Sequence, residues 1–258
     1  MADVKPALGS PGTGVIITGG ASGLGLASGR ALAAVGRPVS LWDINTARAE
    51  DAAQAIEREF GTQAQGLGVD VRSPEAILQA AEAARGALPS IGGIVHCAGI
   101  VDTASLEGVT LQSWEDGINI HLRAVVLLVQ AFLPDLQANP GSAIVATSSI
   151  NATLGNAVNP IYSAGKGGVL SLVRSLADRL ARDGIRINSI SPGQIVTPMM
   201  QPAIDNLPKG HFEKRILLER IGEPEEIGRV VRFLLSDEAS YITAAQIVVD
   251  GGNISSQR

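Results

Sequence analysis

The sequence predicts an α/β fold, in which a doubly wound parallel sheet of about seven strands carries helices on both faces. Three observations support this prediction. Short apolar runs alternate with amphipathic stretches along nearly the whole chain. The 258 residues fit one domain, and we find no repeat or linker that would divide them. Aromatic residues make up only 3% of the chain, so the core must be aliphatic and rich in alanine, which suits helices packed closely on a sheet.

The strands are predicted from apolar runs that are bounded by turn residues. These runs cover residues 15–17, 39–42, 64–69, 91–95, 143–147, 185–190 and 247–249. The helices between them have recognisable ends. Gly36 and Pro38 follow a first helix expected over 26–35, Ser73 and Pro74 begin the third, and Pro224 begins the last long one. Residues 1–12 lack periodicity, so we expect a flexible lead-in before a single domain of residues 13–258.

Charge and cysteine content exclude several classes of function. A net charge of −5 leaves no basic surplus for nucleic acid or an anionic membrane. The longest apolar run, 124–133, is about half the ~20 residues that span a bilayer. Cys97 is the single cysteine, and the N-terminus lacks the pattern of a signal peptide, so we expect a cytoplasmic protein. The three histidines are widely scattered, and nothing resembles a metal site.

A glycine-rich segment between the first strand and the first helix predicts a phosphate-binding loop. Its glycines stand in the order Gly19-x-x-x-Gly23-x-Gly25, which differs from the commoner Gly-x-Gly-x-x-Gly. Glycines let the backbone approach a pyrophosphate, whose charge the helix N-terminus stabilises. The structural alternative is a plain tight turn, but the position between a strand and a helix favours a nucleotide site.

Asp43, which ends the second strand, predicts the type of nucleotide. A carboxylate at this position accepts hydrogen bonds from the adenosine ribose and repels the 2′-phosphate of NADP. No lysine or arginine occupies positions 20–22 or the position after Asp43 to bind that phosphate. NAD is therefore the expected cofactor. An alternative is that Asp43 caps the helix that begins near Asn45, and both roles could coexist.

Tyr162 and Lys166 predict acid–base chemistry. Four residues apart on a helix, they share one face, so an ammonium can lie beside a phenol and favour its ionised form. Such a pair also occurs by chance, and a tyrosine on a helix is more often part of the core. Ser148 and Ser149, which follow the apolar run 143–147, add a hydroxyl. Together with the glycine-rich loop, these residues indicate hydride transfer.

With these motifs, the chain resembles the short-chain dehydrogenases/reductases from about residue 13 onward, and the resemblance implies a Rossmann-type fold. The matching positions follow the family's order and spacing. They are the loop from Thr18 to Gly25, Asp70, Val71, Ala98, Gly99, Asn119, Ser149, Tyr162, Lys166, Asn188, Pro192, Gly193, Thr197 and residues 250–252.

The resemblance implies a role for each matching residue. The catalytic residues would be Asn119, Ser149, Tyr162 and Lys166. Lys166 would bind the nicotinamide ribose and lower the pKa of Tyr162, Ser149 rather than Ser148 would bind the substrate oxygen, and Asn119 would hold a water of a proton relay. Asp70 would meet the adenine amino group, and the backbone of Ile195 would bind the carboxamide. The implied cofactor-binding residues are Gly19, Ser22, Gly23, Leu24, Gly25, Asp43, Asp70, Val71, Ala98, Gly99, Tyr162, Lys166, Pro192, Gly193, Ile195 and Thr197.

The sequence departs from the family pattern at two places. His96 stands where an asparagine is common; a buried histidine bonded to backbone is favoured over a catalytic one, and the neighbouring Cys97 is expected to be a small buried hydrophobe. Ala244 replaces a common glycine, which concerns a local turn rather than chemistry.

We interpret the chain as an oxidoreductase that transfers a hydride between NAD(H) and the carbon of a secondary alcohol or ketone. The alternatives are an NADPH-dependent ketone reductase and a non-catalytic nucleotide-binding regulator or scaffold. Residues 151–159, Gln194 and 198–218 should form the substrate pocket. The last segment is either a mobile lid over a hydrophobic substrate or a surface helix pair, and the asparagines of this region could equally recognise a polyol. The resemblance also suggests a homotetramer built on helices near 114–136 and 159–182 and on the C-terminal strand.

Overall fold

The computed structural model describes residues 5–255 and contains one sheet of seven parallel strands. The strands are β1 (Gly14–Thr18), β2 (Val39–Asp43), β3 (Ala64–Gly68), β4 (Ile91–His96), β5 (Ala143–Thr147), β6 (Arg186–Pro192) and β7 (Gln246–Val249). Their order in the sheet is β3-β2-β1-β4-β5-β6-β7. The predicted fold class and all seven predicted strands are confirmed. The strand order reverses between β1 and β4, and ligands of such sheets bind at the carboxyl ends of the strands that flank this point.

Nine α-helices lie within residues 5–255. They are α1 (Gly23–Ala33), α2 (Thr46–Phe60), α3 (Pro74–Ala87), α4 (Leu111–Ile118), α5 (Ala124–Ala138), α6 (Asn151–Leu154), α7 (Pro160–Ala181), α8 (Gln201–Asn206) and α9 (Pro224–Leu234). One core contains apolar side chains of α1, α2 and α9, and the other contains those of α3, α5 and α7. The two cores lie on opposite faces of the sheet, so helices cover both faces as expected.

Several helix ends agree with the sequence, and one does not. Ser73 accepts a hydrogen bond from Ala76 N at 3.1 Å and so caps α3, Pro74 is its first residue, and Pro224 begins α9. α1 begins at Gly23 rather than at residue 26, because the glycine-rich segment itself supplies the first helical turn. Ser22 is the N-cap residue but makes no capping bond with its side chain, which leaves backbone N–H groups of that turn without a side-chain partner.

The continuous helical segment Leu111–Ala138 is long and apolar enough to cross a membrane by length and composition alone. It runs from α4 through a π-helical turn, Asn119–Arg123, into α5. Val125, Leu128 and Phe132 of α5 are buried in the core against the sheet. The segment therefore serves as a core helix of the α/β fold.

Two segments differ in detail from expectation. Residues 1–4 of the expected flexible lead-in lie outside the described residues, but residues 7–10 are attached to the domain, since Ala7 N donates to Glu238 Oε1 at 2.7 Å and Asp237 N to Ser10 O at 2.8 Å. Residues 198–218, expected to be either a mobile lid or a surface helix pair, contain the six-residue helix α8 and a 3₁₀ turn, Glu213–Arg215.

Candidate active site

The glycine-rich loop packs against the end of β4. A Cβ added to Gly19 would lie 2.9 Å from Ala98 N, and one added to Gly25 would lie 2.1 Å from Gly19 O. Gly19 also has φ +66°, and Gly23 has φ +49°. A larger side chain at Gly19 or Gly25 would displace the loop. Because both positions are glycine, the loop can pack closely, and its backbone N–H groups can approach an anion at the N-terminus of α1.

A cavity of about 380 Å³ adjoins this loop and gathers the residues predicted for the adenosine site. Its size falls within the range usual for ligand pockets. It lies at the carboxyl ends of β1, β2 and β4, where the order of the sheet reverses. The predicted residues that line it are Gly19, Asp43, Asp70, Val71, Ala98 and Gly99.

The carboxylate of Asp43 is oriented by backbone groups at the mouth of this cavity. Oδ2 accepts from Ala21 N at 3.3 Å, and Oδ1 accepts from Asn45 N at 3.1 Å. The N-cap of α2 is Asn45, whose side chain accepts from Arg48 N at 3.0 Å. Asp43 is therefore not the N-cap of α2, which was the alternative role considered for it. Its side chain forms part of the cavity wall.

Asp70 and Arg72 form an ion-pair cluster with Asp116 on the same wall. Arg72 donates to Asp70 Oδ2 from Nη2 at 2.8 Å and to Asp116 Oδ1 from Nη1 at 2.7 Å. These hydrogen bonds hold the pKa of the Asp70 carboxyl below its usual value and raise that of Arg72. Sequence reasoning placed Asp70 here but missed Arg72 and Asp116. Three carboxylates and one guanidinium line the cavity, so it is net negative.

Lys166 lies buried at the centre of the predicted catalytic group. Its Nζ donates to Thr147 O, at the end of β5, at 2.7 Å. Burial lowers the pKa of Lys166 to about 8, so the ammonium form still predominates at neutral pH. The two serines that follow β5 differ in their contacts. Ser148 Oγ donates to Lys166 O at 2.8 Å, whereas Ser149 Oγ accepts from Asn151 N at 3.1 Å and lies close enough to the Tyr162 phenol to oppose the increase in its pKa.

Tyr162 does not show the lowered pKa that the sequence led us to expect. Burial raises the pKa of its phenol, and the nearby Ser149 hydroxyl opposes that increase. Lys166 Nζ lies 5.6 Å from the centre of the tyrosine ring and is bonded to Thr147 O. Among the protein's own groups, loss of solvation therefore outweighs the ammonium, so the expected lowering does not arise from these groups alone.

Asn119 begins the π-helical turn between α4 and α5, and His96 holds this turn to the sheet. His96 Nε2 lies 2.9 Å from Ile120 O, and its Nδ1 lies 2.8 Å from Thr18 Oγ1. Since a carbonyl can only accept, Nε2 carries the hydrogen and Thr18 donates to Nδ1. Burial lowers the pKa of His96 to about 3, so it stays neutral. This agrees with the reading of a buried, backbone-bonded histidine. Burial also raises the pKa of the neighbouring Cys97 thiol.

Asp102, which sequence reasoning missed, caps the helix that carries Tyr162. Its carboxylate accepts from Tyr162 N at 2.8 Å and from Ile161 N at 3.2 Å, and its backbone O accepts from the side chain of Asn159. A carboxylate at a helix N-terminus is favourable because it meets unpaired N–H groups and the positive end of the helix dipole. No local sequence signal could have found this contact, since about sixty residues separate the partners.

The residues expected at the nicotinamide end follow β6. Ile195 forms an isolated bridge with Gly222 that uses Gln194 O and Val196 N, both at 2.9 Å, and not the N–H or C=O of Ile195 itself. Thr197 lies opposite the glycine-rich loop, 3.5 Å from a Cβ placed on Gly23. Gly193 packs against Asp250, where a Cβ would come within 2.6 Å of the aspartate side chain.

Two further expectations can be placed in the structure. Ala244 has φ +58°, in the left-handed region that favours glycine, which agrees with a turn at this position. Within residues 5–255 no cluster of three or more His, Cys, Asp or Glu side chains is arranged to hold a metal ion.

A parallel sheet with a nucleotide-sized cavity at its switch point, beside a tyrosine, a lysine and a serine, defines a dinucleotide-dependent oxidoreductase. Comparison with known proteins gives the family. A family profile described as enoyl-(acyl carrier protein) reductase matches residues 19–253. A probable galactose dehydrogenase of Rhizobium meliloti is 33% identical over 240 residues, which cover 93% of this chain and 94% of that protein. A cis-4-hydroxycyclohexanecarboxylate dehydrogenase of Sinomonas cyclohexanicum is 34% identical over 238 residues, 92% of this chain and 94% of that protein.

A solved structure agrees with these relatives. L-Sorbose reductase from Gluconobacter frateurii, complexed with NADPH and L-sorbose, superposes with a TM-score of 0.90 at 28% identity and covers 96% of this chain and 99% of that one. The chain belongs to the short-chain dehydrogenase/reductase family. It is a pyridine-nucleotide-dependent oxidoreductase of alcohols and ketones.

Proposed function

We propose that this protein transfers a hydride between NAD(H) and the carbon of a secondary alcohol or ketone, with Tyr162, Lys166, Ser149 and Asn119 as its catalytic residues. The observation that carries the proposal is the position of Lys166, whose buried ammonium donates to Thr147 O at the carboxyl end of β5 and lies 5.6 Å from the centre of the Tyr162 ring. A scaffold would have no physical need for a buried, desolvated lysine at this point.

The charges of the adenosine cavity support NAD rather than NADP. Asp43 lines this cavity, and the one cation among the cavity-lining residues of the described chain, Arg72, is already paired with Asp70 and Asp116. A 2′-phosphate would meet this net negative wall with no unpaired guanidinium to bind it. The sorbose reductase was solved with NADPH, so a relative of the same fold uses the other cofactor.

The glycine-rich loop, Asp43 and the backbone of Ile195 would hold the two ends of the dinucleotide. The bound nicotinamide supplies the hydride acceptor or donor. In the oxidative direction, Ser149 binds the substrate oxygen while Tyr162, as general base, takes the hydroxyl proton. Ser148 is less suited to this role because its hydroxyl donates to the backbone of Lys166. Lys166 favours the phenolate by its charge, and Asn119 holds a water through which the proton leaves.

Two substitutions test the assignment of the base. Tyr162→Phe keeps the ring but removes the hydroxyl, so turnover should fall about a hundredfold or more while NAD still binds. Lys166→Ala should impair both turnover and cofactor binding. Ser148→Ala is the matched control, because Ser148 neighbours Ser149 but bonds only to backbone, and it should retain most activity. Near wild-type turnover by Tyr162→Phe would refute the assignment.

The substrate is a second question, which a panel of alcohols assayed by NADH absorbance should answer. Asn156 accepts from Val158 N at 2.9 Å and Asn159 bonds to Asp102 O, so two of the asparagines that could recognise a polyol are already engaged. Leu154 and Val158, on the same segment, are exposed apolar side chains. We propose a substrate with an apolar body, such as an alkyl chain or a hydrocarbon ring. The panel should contain galactose, sorbitol, cis-4-hydroxycyclohexanecarboxylate and 2-alkanols, and a clear preference for the two polyols would contradict the proposal.

We further propose a cytoplasmic homotetramer, with residues 198–218 as a mobile lid. Trp114 on α4 is 46% exposed and Tyr241, just before β7, is fully exposed, on the two parts of the chain where the family resemblance places subunit contacts. Burial of such apolar side chains favours association. A stable monomer in sedimentation at micromolar concentration would refute the tetramer. If bound NAD does not slow hydrogen exchange at the backbone amides of residues 198–218, that result would argue against a lid.

A further inference from the structure

The first turn of α7 is capped from a distant segment, although its own N-cap residue is of a type that caps helices well. Asn159 occupies the N-cap position, yet its side chain makes no capping bond. Its Nδ2 donates instead to Asp102 O, while the Asp102 carboxylate accepts from Ile161 N and Tyr162 N. The two residues therefore form a reciprocal pair. Asn159 binds the backbone of Asp102, and Asp102 binds the N–H groups that Asn159 would ordinarily cap.

The backbone position of Tyr162 depends on this pair. Tyr162 is the third residue of α7, so the helix itself supplies no acceptor for its N–H. The N–H of the next residue already has one within the helix, since Ser163 N donates to Asn159 O at 3.0 Å. The bond from Tyr162 N to Asp102 Oδ1, at 2.8 Å, thus ties down the part of the helix end that carries the phenol. Because helix ends fray, we expect the phenol to be displaced when the carboxylate is removed.

The segment that contains Asp102 also binds the residues just before α7. Ser105 N donates to Val158 O at 3.3 Å. Ser105 has φ +53° and ψ −167°, a backbone conformation that is common only for glycine. Thr103 and Ala104 are exposed, so side-chain burial at these two positions does not account for the conformation. Strained residues persist where surrounding contacts over-determine them, and here those contacts are the bonds to residues 158–162.

We propose, building on the proposed function, that residues 102–105 form a clamp that sets the distance between the general base and the substrate wall, residues 154–159. Asp102 is its positioning residue. The Asp102 carboxylate fixes Tyr162, and its backbone oxygen, together with Ser105 N, fixes the wall against which the body of the alcohol would lie. Leu154 and Val158 give this wall exposed apolar side chains. A misplacement of about 1 Å between reacting groups can cost roughly a hundredfold in rate, so the clamp affects both turnover and the choice of substrate.

Two substitutions separate the two halves of the clamp. Asp102→Ala removes the carboxylate but keeps the backbone oxygen that binds Asn159. Asn159→Ala breaks the bond to that oxygen but keeps the carboxylate on α7. The first variant should lose kcat with every alcohol, because the base is displaced. The second should lose affinity chiefly for alcohols with a long apolar body, because the wall is loosened. A merely structural role would lower the stability of both variants without separating kcat from KM or short alcohols from long ones.

The kinetic measurement uses NAD-saturated enzyme with 2-propanol and 2-octanol, well below the unfolding temperature of each variant. We expect Asp102→Ala to lose about tenfold or more in kcat with both alcohols. Asn159→Ala should raise KM about tenfold for 2-octanol, the loss expected of one hydrogen bond, and less than about threefold for 2-propanol. Unchanged kcat in Asp102→Ala, or equal KM effects on the two alcohols in Asn159→Ala, would overturn the proposal.

Thr110→Ala is the matched control for the loss of a helix cap. Thr110 caps α4 rather than α7, by accepting from Ser113 N at 3.1 Å. The control should lose a similar amount in Tm, about 2–4 °C, and keep wild-type kcat and KM. If it lost as much kcat as Asp102→Ala, the effect would be one of general stability, and the proposal would be wrong.

A double-substitution cycle tests whether Asp102 acts through the phenol. In a Tyr162→Phe background, Asp102→Ala should lower the residual turnover by less than about twofold, because the group that it positions is gone. A further loss of about tenfold would contradict the proposal. If Asp102→Ala does not fold, Asp102→Asn takes its place; it keeps one acceptor oxygen, so it should lose less in kcat but show the same dependence on Tyr162.

Hydrogen exchange tests the clamp without turnover, which separates its failure from that of the proposed function. In the full chain, the Tyr162 amide should exchange about tenfold faster in Asp102→Ala than in wild type, and the Ser105 amide about tenfold faster in Asn159→Ala. Both amides should exchange in Thr110→Ala as they do in wild type. Unchanged exchange in the two clamp variants would overturn the proposal even if alcohols are oxidised. A wild type that oxidises no alcohol would refute the proposed function, and the exchange rates would still decide whether the clamp exists.

Discussion

The ionisation of Tyr162 can be measured directly, because the chain contains only two tyrosines. The other, Tyr241, is fully exposed. Tyr241→Phe leaves Tyr162 as the single tyrosine, so the ultraviolet absorbance of tyrosinate during an alkaline titration reports this one phenol. The substitution should not disturb the catalytic site, since it keeps the aromatic ring of Tyr241, which any subunit contact would use, and removes only the phenol hydroxyl.

The structure predicts a pKa above 10 for Tyr162 in the protein alone. Burial raises the pKa of the phenol, and Lys166, whose pKa is about 8, loses its charge before the phenol ionises. The two groups therefore titrate in sequence, and the phenol ionises beside a neutral amine. Lys166→Met should then change the titration of Tyr162 very little in the absence of cofactor.

Bound NAD should reverse this order. If NAD binds as proposed, its phosphates would favour the ammonium form of Lys166, and its nicotinamide ring would add a positive charge near the phenol. At an effective dielectric constant of about 20, a unit charge at the 5.6 Å between Lys166 Nζ and the ring centre contributes about 3 kcal/mol, or about two pKa units. With saturating NAD we expect the midpoint of Tyr162 to fall by about two units, and Lys166→Met to abolish most of that fall.

Two results would refute this reasoning. Formation of tyrosinate near neutral pH in the protein alone would mean that burial does not dominate the pKa of Tyr162. A titration that saturating NAD leaves unchanged would mean that Tyr162 is not the group that the cofactor activates. As a control, Tyr162→Phe in the Tyr241→Phe background should abolish the tyrosinate signal, which shows that the absorbance change belongs to this residue.

Four other predictions follow from individual side chains. Asp43→Ala should weaken NAD binding by tenfold to a hundredfold, the loss of a charge-assisted hydrogen bond, and should narrow the preference for NAD over NADP in competition assays; unchanged preference would contradict the role of Asp43. Because burial lowers the pKa of His96 to about 3, its contribution to stability is complete above about pH 6.5 and is lost as pH falls below it, by about 1.4 kcal/mol per unit. Urea unfolding at pH 7.5 and 5.5 should show that His96→Asn loses less stability on acidification than wild type does. Asp102→Asn should lower Tm by about 2–4 °C and reduce kcat, since it removes the charge that caps the helix of Tyr162; an unchanged Tm would show that this charge stabilises nothing. Lys166→Met should raise stability at pH 7 by about 3 kcal/mol while turnover is lost, and a destabilised variant would show that the ammonium is better solvated than its burial indicates.

The fold and the outline of the site were predictable because their signals are local. Apolar runs marked every strand, because the inner strands β1, β4 and β5 are buried along their whole length, while the edge strands β3 and β7 are only partly buried. Gly19 and Gly25 could be recognised in the sequence because close backbone contacts at both positions require glycine. The beginning of α1 was misplaced by three residues for the same reason: glycines suggest a loop, yet here they form the first helical turn.

The contacts that tune the site were not predictable, because they join residues that are distant in sequence. Asp102 caps α7 across about sixty residues, and Arg72 reaches Asp116 from another element. His121 appeared in the sequence only as one of three scattered histidines. Its buried ring packs against Gly99, in the loop after β4, and Gly165 of α7, neither of which has a sequence relation to it. The raised pKa of Tyr162 in the protein alone was not predictable, because sequence spacing shows a neighbouring charge but not the loss of solvation.

The buried ammonium of Lys166 links the stability of the fold to the chemistry of the site. The ammonium is buried, and the acceptor that the structure gives it is a carbonyl, Thr147 O, rather than a carboxylate. A carboxylate partner would hold the lysine charged and raise its pKa, whereas a carbonyl leaves the pKa near 8, within reach of proton exchange with water. Since the folded-state pKa lies below that of the unfolded chain, the cost to stability is fully present below about pH 8 and is relieved as pH rises towards 10.5. The same desolvation that destabilises the fold at neutral pH makes Lys166 able to release a proton, so stability and turnover should depend on pH in the same interval.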